Sequence, residues 1–368
     1  MDLHTPSVES AQPSSFVPYS RRLDFSGRAN EFFSIWIVNI VLTLLTLGIY
    51  SAWAKVRTKR YFYGHTQLDG HRFDYLANPI QILKGRILAF FFFALYAITG
   101  HFNPGLGLLI MFIFAFLMPW VVNQGMRFNM RMSRYRNIRF SFNGTYGEAF
   151  VVFILLPVLS PFTLYLLLPY VFKRIDQYLH SNIEYAGEPV SVETKGGEYY
   201  LAALMASVAS GILFAVFMAI GTSLSSIFGA AFGTHDSSPD AVNVASGIAF
   251  FTFMVVYMFV LAVASGIYQT VIRNHLFNSS EIDDIADFKS DLQIVDYTLL
   301  LLTNAIAIVC SLGLAYPWAK IRKARMLTQA TEVTFLIDPQ RLEDQLGEQD
   351  SSFAEEAADL FDIDLSLG

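Results

Sequence analysis

The sequence predicts a mainly α-helical, polytopic membrane protein with internal repeats, and short β-hairpins between its membrane segments that form a small cytoplasmic sheet. Hydrophobic residues make up 54% of the 368 residues, and the mean hydropathy of +0.43 exceeds that of soluble domains. Five apolar blocks lack Lys, Arg, Asp and Glu over their cores, and basic residues follow each block. The composition and this recurring order together indicate the fold class.

Both ends of the chain differ in composition from the middle. Residues 1–20 are polar, contain Ser and Pro, and are predicted to be disordered. The first apolar run is long and lacks a small-residue cleavage site, so no cleaved signal peptide is expected. Residues 338–368 hold ten acidic residues and one basic residue, which predicts an acidic disordered tail. The repeat-built membrane domain is therefore expected to cover residues 21–337.

The apolar blocks differ in length, and length limits how often each can cross a membrane. A crossing helix needs about 20 apolar residues. The second and fourth blocks are long enough for two crossings each, and the other three for one each. The five blocks cover residues 32–54, 87–123, 149–172, 199–272 and 297–319.

Two membrane arrangements fit these lengths: seven crossing helices, or four crossing helices and three re-entrant helical hairpins. The polar interruptions at 101–104 and 220–243 contain none of the 25 Lys and Arg residues. Basic residues favour the cytoplasmic side, and only the second arrangement puts all of them there. Candidate breaks for the re-entrant hairpins occur at Thr46–Gly48, Ser160–Pro161 and Ser311–Gly313. This arrangement places both termini in the cytoplasm and the two interruptions outside.

The polar linkers between the blocks carry β-strand patterns. Polar and apolar residues alternate in Arg72–Tyr75, Val190–Val192 and Val333–Phe335. Turn-forming residues in Leu68–His71 and Tyr185–Glu188 predict hairpins. Isolated hairpins are marginally stable in water, so these hairpins are expected to pair with one another in one sheet.

The first and last blocks end in nearly the same motif, in which a tryptophan is followed by alternating basic residues. Aromatic and basic residues of this kind commonly anchor a helix at the membrane surface. The alternative is a set of headgroup contacts, because each basic residue attracts anionic lipid with about 1 kcal/mol. These candidate lipid-headgroup contacts are Trp53, Lys55, Arg57, Trp318, Lys320 and Arg322.

Three polar residues lie inside the apolar blocks at informative positions. Asn39 and Asn304 each precede the glycine of the repeated motif by the same spacing, and Thr43 follows Asn39 by one helical turn. Such residues hydrogen-bond between neighbouring helices, with about 0.6–2 kcal/mol each. The alternative is that Asn39, Thr43 and Asn304 line a path for a substrate through the membrane.

No motif for catalysis or cofactor binding occurs in the chain. The seven His residues lack zinc-site spacing, Cys310 is the one cysteine, and no phosphate-binding glycine loop follows a strand. We therefore expect no enzyme activity, no metal, no cofactor and no nucleic-acid partner. Membrane lipids are the expected partners, with anionic headgroups as candidates, and a protein partner or a homo-oligomer stays open.

Several of these motifs resemble the YjgN-like family of bacterial inner-membrane proteins, a domain of unknown function. The resemblance covers residues 20–335 and rests on Phe25–Gly27, Asn39, Thr46–Tyr50, Trp53–Arg57 and Tyr316–Trp318. It implies a multi-pass protein of the bacterial inner membrane and assigns no activity or functional residue. The first copy of the motif lacks the proline of the last copy, which predicts a differently shaped first turn.

Two functions remain for such a protein. Duplication, broken helices and basic rims recur in transport proteins, which favours transport or lipid handling through a path between the repeats. The alternative is a non-catalytic membrane scaffold or regulator that binds partners through its cytoplasmic hairpins and acidic tail.

Overall fold

Hairpins and helices alternate along the chain in five units. The computed structural model describes residues 16–232 and 239–344, without the side chains of residues 224–246, 248 and 249. In four units a helix leads into a hairpin of two short strands, and the second strand leads into the next helix. In the fifth unit the last strand of the chain follows its helix and pairs with the first strand. The strands are β1 (Tyr19–Arg22), β2 (Asp24–Phe25), β3 (Thr66–Leu68), β4 (His71–Tyr75), β5 (Ser133–Tyr135), β6 (Ile138–Phe142), β7 (Ile183–Tyr185), β8 (Glu188–Val192), β9 (Ser280–Ile282), β10 (Ala286–Ser290) and β11 (Thr331–Phe335).

All eleven strands pair antiparallel in one sheet that closes on itself. Strand β1 pairs with β11, and β2 pairs with β3. Because only Leu23 separates β1 from β2, the two ends of the sheet are halves of one interrupted strand. The predicted hairpins are confirmed, but the sheet is larger than the small one expected, since every hairpin pairs with two neighbours. We call strands β1–β11 the strand ring.

Apolar side chains fill the strand ring. Tyr135, Tyr185, Ile282, Val333 and Phe335 all belong to one buried cluster. Alternation along the strands directs these residues inward, while charged residues alternate with them on the outer face. Burial of this shared core stabilises hairpins that would be marginal singly.

Within residues 16–232 and 239–344, four helices are long and apolar enough to cross a membrane. The connection at Asn103 joins two of them at the end far from the strand ring, where the Asn103 side chain accepts from the N–H groups of Gly105 and Leu106 and caps the second helix. The four helices are α3 (Pro79–Phe102), α4 (Pro104–Arg131), α8 (Gly196–Phe232) and α9 (Pro239–Asn278). Of the second interruption, predicted at 220–243, residues 233–238 lie outside the described residues.

Each of the three shorter blocks is broken into a pair of helical arms, and neither arm alone is long and apolar enough to cross a membrane. The pairs are α1 (Ala29–Leu45) with α2 (Ser51–His65), α5 (Tyr146–Phe150) and α6 (Leu156–Leu159) with α7 (Leu168–Ser181), and α10 (Ile294–Cys310) with α11 (Tyr316–Gln329). A π-helical turn, Val151–Leu155, joins α5 to α6, and a short 3-10 helix, Pro161–Thr163, follows α6. Each pair leaves the strand ring and returns to it.

The first and last breaks lie at the predicted positions, while the middle one has its left-handed residues at Leu164 and Tyr165, after the predicted Ser160–Pro161. Leu47 and Gly48 have φ angles of 50° and 94°, and Leu312 and Gly313 have 51° and 93°. The first turn therefore has the same shape as the last, and the expectation of a different shape without proline was wrong. At all three breaks a hydroxyl accepts from the N–H four residues later, at 2.8–3.2 Å. The accepting residues are Thr46, Thr163 and Ser311.

Secondary structure is present on both sides of residues 21–337, the predicted membrane domain. Strand β1 begins at Tyr19 because its residues pair with β11. Residues 339–344 are helical, and Leu342 is buried against the core of the strand ring. Tyr19, residue 20 and residues 339–344, which the sequence analysis assigned to the two ends of the chain, thus belong to strand β1 and to this helical segment. Residues 1–15 and 345–368 lie outside the described residues.

Candidate functional site

Basic side chains collect where the helices meet the strand ring. They lie on the helices that lead into each hairpin and on the first turns of α3, and we call this set the basic belt. Its members are Lys55, Arg57, Lys59, Arg60, Lys84, Arg86, Arg127, Arg131, Lys173, Arg174, Arg273, Lys320, Arg322, Lys323 and Arg325.

One position on the helices that lead into the strand ring recurs from unit to unit and has a structural role. It lies six residues before the first strand of the hairpin, and its side chain donates to a carbonyl oxygen just before the next helix. The pairs are Arg60 with Ala77, Arg127 with Gly144, Asn274 with Leu292 and Arg325 with Gly27, at 2.8–3.2 Å. In the remaining unit the position holds Gln177, which accepts from Arg174. Sequence reasoning missed this position, although its constant spacing before each hairpin could have identified it.

The arginines of the two tryptophan motifs differ in their contacts. The Arg322 guanidinium lies 4.5 Å from the centre of the Trp318 ring, and its Nη1 donates to Asn304 Oδ1 at 3.0 Å. The equivalent Arg57 is exposed. The Trp53 ring instead stacks on Tyr50, with 6.1 Å between the ring centres.

Part of the belt lies against aromatic rings, with ring contacts made by Lys59, Lys320 and Lys323. Lys320 Nζ lies 5.0 Å from the centre of the Phe62 ring, with Phe32 and Tyr316 slightly further away. Lys59 Nζ donates to Asn129 Oδ1 at 2.7 Å. Burial, and then the charge of Lys55, lower the pKa of Lys59. Lys55 itself is exposed. These contacts hold the ammonium groups in place without neutralising them.

No member of the basic belt forms a salt bridge within the part of the chain that the structure describes. The salt bridges are instead in and around the strand ring, where Asp69 pairs with Arg21 and Arg136, Asp74 with Arg134, and Arg22 with Asp291 and Glu332. Two weaker pairs join His65 to Glu31 and Arg136 to Glu343. No carboxylate of the described residues is thus paired directly with a belt side chain, and a cluster of basic side chains attracts anions.

The three polar residues proposed for a membrane path lie inside helix pairs. Asn304 Nδ2 donates to the carbonyl oxygen of Ala319 at 3.2 Å, and Asn39 Nδ2 reaches that of Ala54 at 3.5 Å. Thr43 Oγ1 donates to the carbonyl oxygen of Asn39, within its own helix. Asn39 and Asn304 are buried. Asn39 thus joins the two helices of the first pair, and Asn304 joins the two helices of the last pair. This is the kind of contact described by the first interpretation, in which the residues hydrogen-bond between neighbouring helices.

No group of three His, Cys, Asp or Glu side chains that could hold a metal ion occurs among the described residues. Charge attraction and N–H donation, which the basic side chains of the belt provide, suit phosphate oxygens.

Comparison with known proteins agrees with the resemblance carried by the motifs. The family described as "Bacterial protein of unknown function (DUF898)" matches residues 20–360. The inner membrane protein YjgN of Salmonella typhimurium (strain LT2) is 26% identical over 365 residues, covering 86% of this chain and 89% of that protein. YjgN proteins of Escherichia coli O157:H7 and of Escherichia coli K12 are 31% identical over 136 residues, 37% of this chain and 34% of theirs. No solved structure matches the chain. The chain thus belongs to DUF898, a family of bacterial proteins of unknown function, and is YjgN-like.

Proposed function

We propose that this is a non-enzymatic, multi-pass inner-membrane protein that handles lipids, and that its basic belt binds anionic phospholipid headgroups on the cytoplasmic side. The observation that carries the proposal is the absence of carboxylate partners for the belt among the described residues. Clustered basic residues beside a membrane attract anionic lipid with about 1 kcal/mol per charge.

The proposed orientation follows from the shape of the chain. The three short helix pairs return to the strand ring, and the connection at Asn103 lies at the opposite end of the long helices. Every Lys and Arg therefore lies toward the strand ring, the side that the positive-inside rule assigns to the cytoplasm. The strand ring and both termini are cytoplasmic in this proposal, and the short pairs are re-entrant hairpins.

Binding of anionic lipid is tested with the purified full-length protein in neutral detergent. Native mass spectrometry would compare phosphatidylglycerol with phosphatidylethanolamine for the wild type and for the K55Q/R57Q double variant. We expect each removed charge to weaken phosphatidylglycerol binding about fivefold. The control is Lys289→Gln, an exposed lysine on strand β10 that does not belong to the belt. Equal binding of both lipids by the wild type would refute the proposal.

Orientation is tested by labelling single cysteines in intact cells, in a Cys310→Ser background. An impermeant thiol reagent should label Asn103→Cys and leave Arg72→Cys unlabelled until the membrane is opened. Arg72 is an exposed residue of strand β4 and suits this purpose better than its neighbour Asp69, which accepts hydrogen bonds from Tyr19 and Arg136. Labelling of Arg72→Cys in intact cells would reverse the proposed orientation.

A scaffold or regulator that binds proteins is the second candidate, and the exposed outer face of the strand ring favours it. Strand β10 alternates exposed Asp287 and Lys289 with buried residues, as a soluble binding surface can. Transport through the strand ring has less support, because apolar side chains fill its interior. If belt variants leave lipid binding unchanged, the scaffold becomes the better interpretation.

A further inference from the structure

An apolar groove of about 680 Å³ runs along one side of helix α4. Its residues on α4 recur every three or four positions and form one continuous stripe, while α5 contributes a single tyrosine. The stripe is half exposed, because the short helix pair beside α4 contacts only part of it. The lining residues are Leu109, Phe112, Ile113, Phe116, Leu117, Trp120 and Tyr146.

The wall of the groove formed by α5 is held in place by specific contacts. Tyr146 Oη donates to the carbonyl oxygen of Phe116 at 2.8 Å, close to Pro119, which interrupts the hydrogen bonding of α4. The Phe150 ring stacks on Phe116, with 5.6 Å between the ring centres, and on Tyr146. These contacts fix the position of the α5 wall against α4.

The length of the groove matches one leaflet of a bilayer. Leu109 and Trp120 are eleven residues apart on a helix, which corresponds to about 16 Å. The hydrocarbon core of a bilayer is about 30 Å thick, so each leaflet contributes about half of that. Trp120 lies at the end of the groove nearer the strand ring, where a tryptophan suits the level of the headgroups.

Positive charge lies just beyond that end. Arg127 follows Trp120 by two helical turns, is exposed, and uses Nη2 to donate to the carbonyl oxygen of Gly144 at 3.0 Å. Gly144 precedes Tyr146 by two residues, so the guanidinium lies beside the groove wall. Arg131 follows one turn later on the same helix face and is also exposed. An apolar slot with cations at its headgroup end complements a negatively charged lipid.

We propose that this groove binds one acyl chain of an anionic phospholipid whose phosphate is held by Arg127 and Arg131. The site rests on the proposed function, because it uses two arginines of the basic belt. It adds that one lipid is bound at a defined place, in contact with α4 and α5.

The test is photo-crosslinking of full-length protein in nanodiscs with phospholipids that carry a diazirine on one acyl chain. Phosphatidylglycerol and phosphatidylethanolamine probes are compared, and labelled peptides are mapped. We expect the phosphatidylglycerol probe to label Leu109–Trp120 and the start of α5 in preference to other apolar helices. Ile113→Trp fills the groove and should abolish this label. Leu108→Trp, an exposed neighbour outside the groove, should retain it.

The charge requirement is tested separately at the two arginines. Arg131→Gln leaves the Arg127–Gly144 bond intact and should reduce the preference for phosphatidylglycerol about fivefold. Arg127→Gln should do the same, and Arg127→Lys should restore the preference. Equal labelling by both probes in the wild type, or equal loss of label in Leu108→Trp and Ile113→Trp, would overturn the proposed site.

Failure of this site and failure of the belt give different results. If the wild type prefers phosphatidylglycerol by mass spectrometry but the label spreads over all apolar helices, the belt binds headgroups and the groove proposal is wrong. If the phosphatidylglycerol and phosphatidylethanolamine probes label the groove equally, the groove binds an acyl chain but does not select an anionic lipid. That part of the proposal is then wrong. If no anionic preference appears in either experiment, the proposed function is wrong as well.

Discussion

Arg325 Nη2 donates to the carbonyl oxygen of Gly27 at 3.2 Å, although 298 positions separate the two residues in the chain. The bond joins the last helix, α11, to the loop before the first helix, α1. Arg60 and Arg127 make the same bond within their own units. The first and last units thus meet as any two neighbouring units do, and the repeat array is closed.

Removing the hydrogen bond between Arg325 and Gly27 should weaken the contact between the first and last units. We expect Arg325→Ala to lower the free energy of unfolding by about 1 kcal/mol, the usual contribution of a single exposed hydrogen bond. Thermal unfolding in detergent, followed by intrinsic fluorescence, measures the change. Arg57→Ala is the matched control, since Arg57 is an exposed arginine on the equivalent helix. An equal effect of both variants would contradict a special role for Arg325.

Local features of this fold could be predicted from the sequence, while contacts across the array could not. The breaks at Leu47–Gly48 and Leu312–Gly313 were predictable because turn residues lie next to them in the chain. The pairing of Tyr19 with Phe335 was not, since nothing local indicates which strands meet at the ends of the array. The size of the sheet and the burial of Leu342 could not be predicted for the same reason, because both depend on contacts between distant parts of the chain.

At the candidate site, too, local features could be predicted from the sequence, while contacts between distant residues could not. The motifs identified Trp318 and Arg322 as neighbours at the membrane surface, and these residues are in contact. The repeated bond to the next loop was missed because each pair spans a hairpin. The groove on α4 was missed because its residues resemble any lipid-facing stripe until Tyr146 and Phe150 define one wall.

Asn304 should contribute more to stability than its repeat equivalent Asn39. Asn304 bonds Ala319 and Arg322, whereas Asn39 Oδ1 is buried without a partner and its donor reaches Ala54 only at 3.5 Å. We expect Asn304→Ala to cost about 2 kcal/mol and Asn39→Ala less than about 1 kcal/mol. Thermal unfolding of the two variants gives the comparison. Unchanged stability in both would favour the interpretation that the asparagines line a path.

Gly266 on α9 should tolerate no side chain. A Cβ atom there would lie 2.9 Å from the Cα atom of Thr298 on α10, so the two helices would have to separate. We expect Gly266→Ala to destabilise the protein by about 2 kcal/mol, as overpacking does. The control is Gly211→Ala on α8, where a Cβ atom meets nothing within 4 Å and where alanine favours the helix by about 1 kcal/mol. Similar melting temperatures for both variants would contradict the close approach.

Asp176 on α7 should make stability depend on pH. Tyr199 Oη donates to Asp176 Oδ2 at 3.0 Å, and burial raises the pKa of the Asp176 carboxyl group above its ordinary value of 3.8. The folded state therefore binds the proton more tightly than the unfolded state, and stability falls as the pH rises from 3.8 through the folded pKa.

Asp176→Asn should accordingly raise the melting temperature at pH 8 and remove this part of the pH dependence. Asp291 serves as the control because its pKa is shifted in the opposite direction. A hydrogen bond from Arg22 lowers the pKa of Asp291, so the Asp291 carboxylate contributes to stability at pH 8 and this contribution is lost in acid. Asp291→Asn should therefore not raise the melting temperature at pH 8. If Asp176→Asn lowers it instead, the carboxylate is stabilised by its surroundings and burial is not the dominant cause.

The segment that follows β11 should stabilise the strand ring. Leu342 is 8% exposed in the core cluster, and Glu343 Oε1 accepts from Asn137 Nδ2 at 2.7 Å in the turn between β5 and β6. Arg136 in that turn has a φ of 45°, an unfavourable angle for arginine, and its Nη2 donates to Asp69 at 2.7 Å. The segment that follows β11 thus covers a strained turn, and this turn lies across the strand ring from β11.

We expect Leu342→Ala to cost about 2 kcal/mol, because it removes a buried side chain at the edge of a packed core. Glu343→Gln should cost less, since an amide oxygen can still accept from Asn137. The neighbouring Arg341 is exposed, and Arg341→Ala serves as the control. Hydrogen exchange should show the largest loss of protection in strands β5 and β6 for Leu342→Ala. Loss confined to residues 338–344 would mean that the segment rests on the ring without stabilising it.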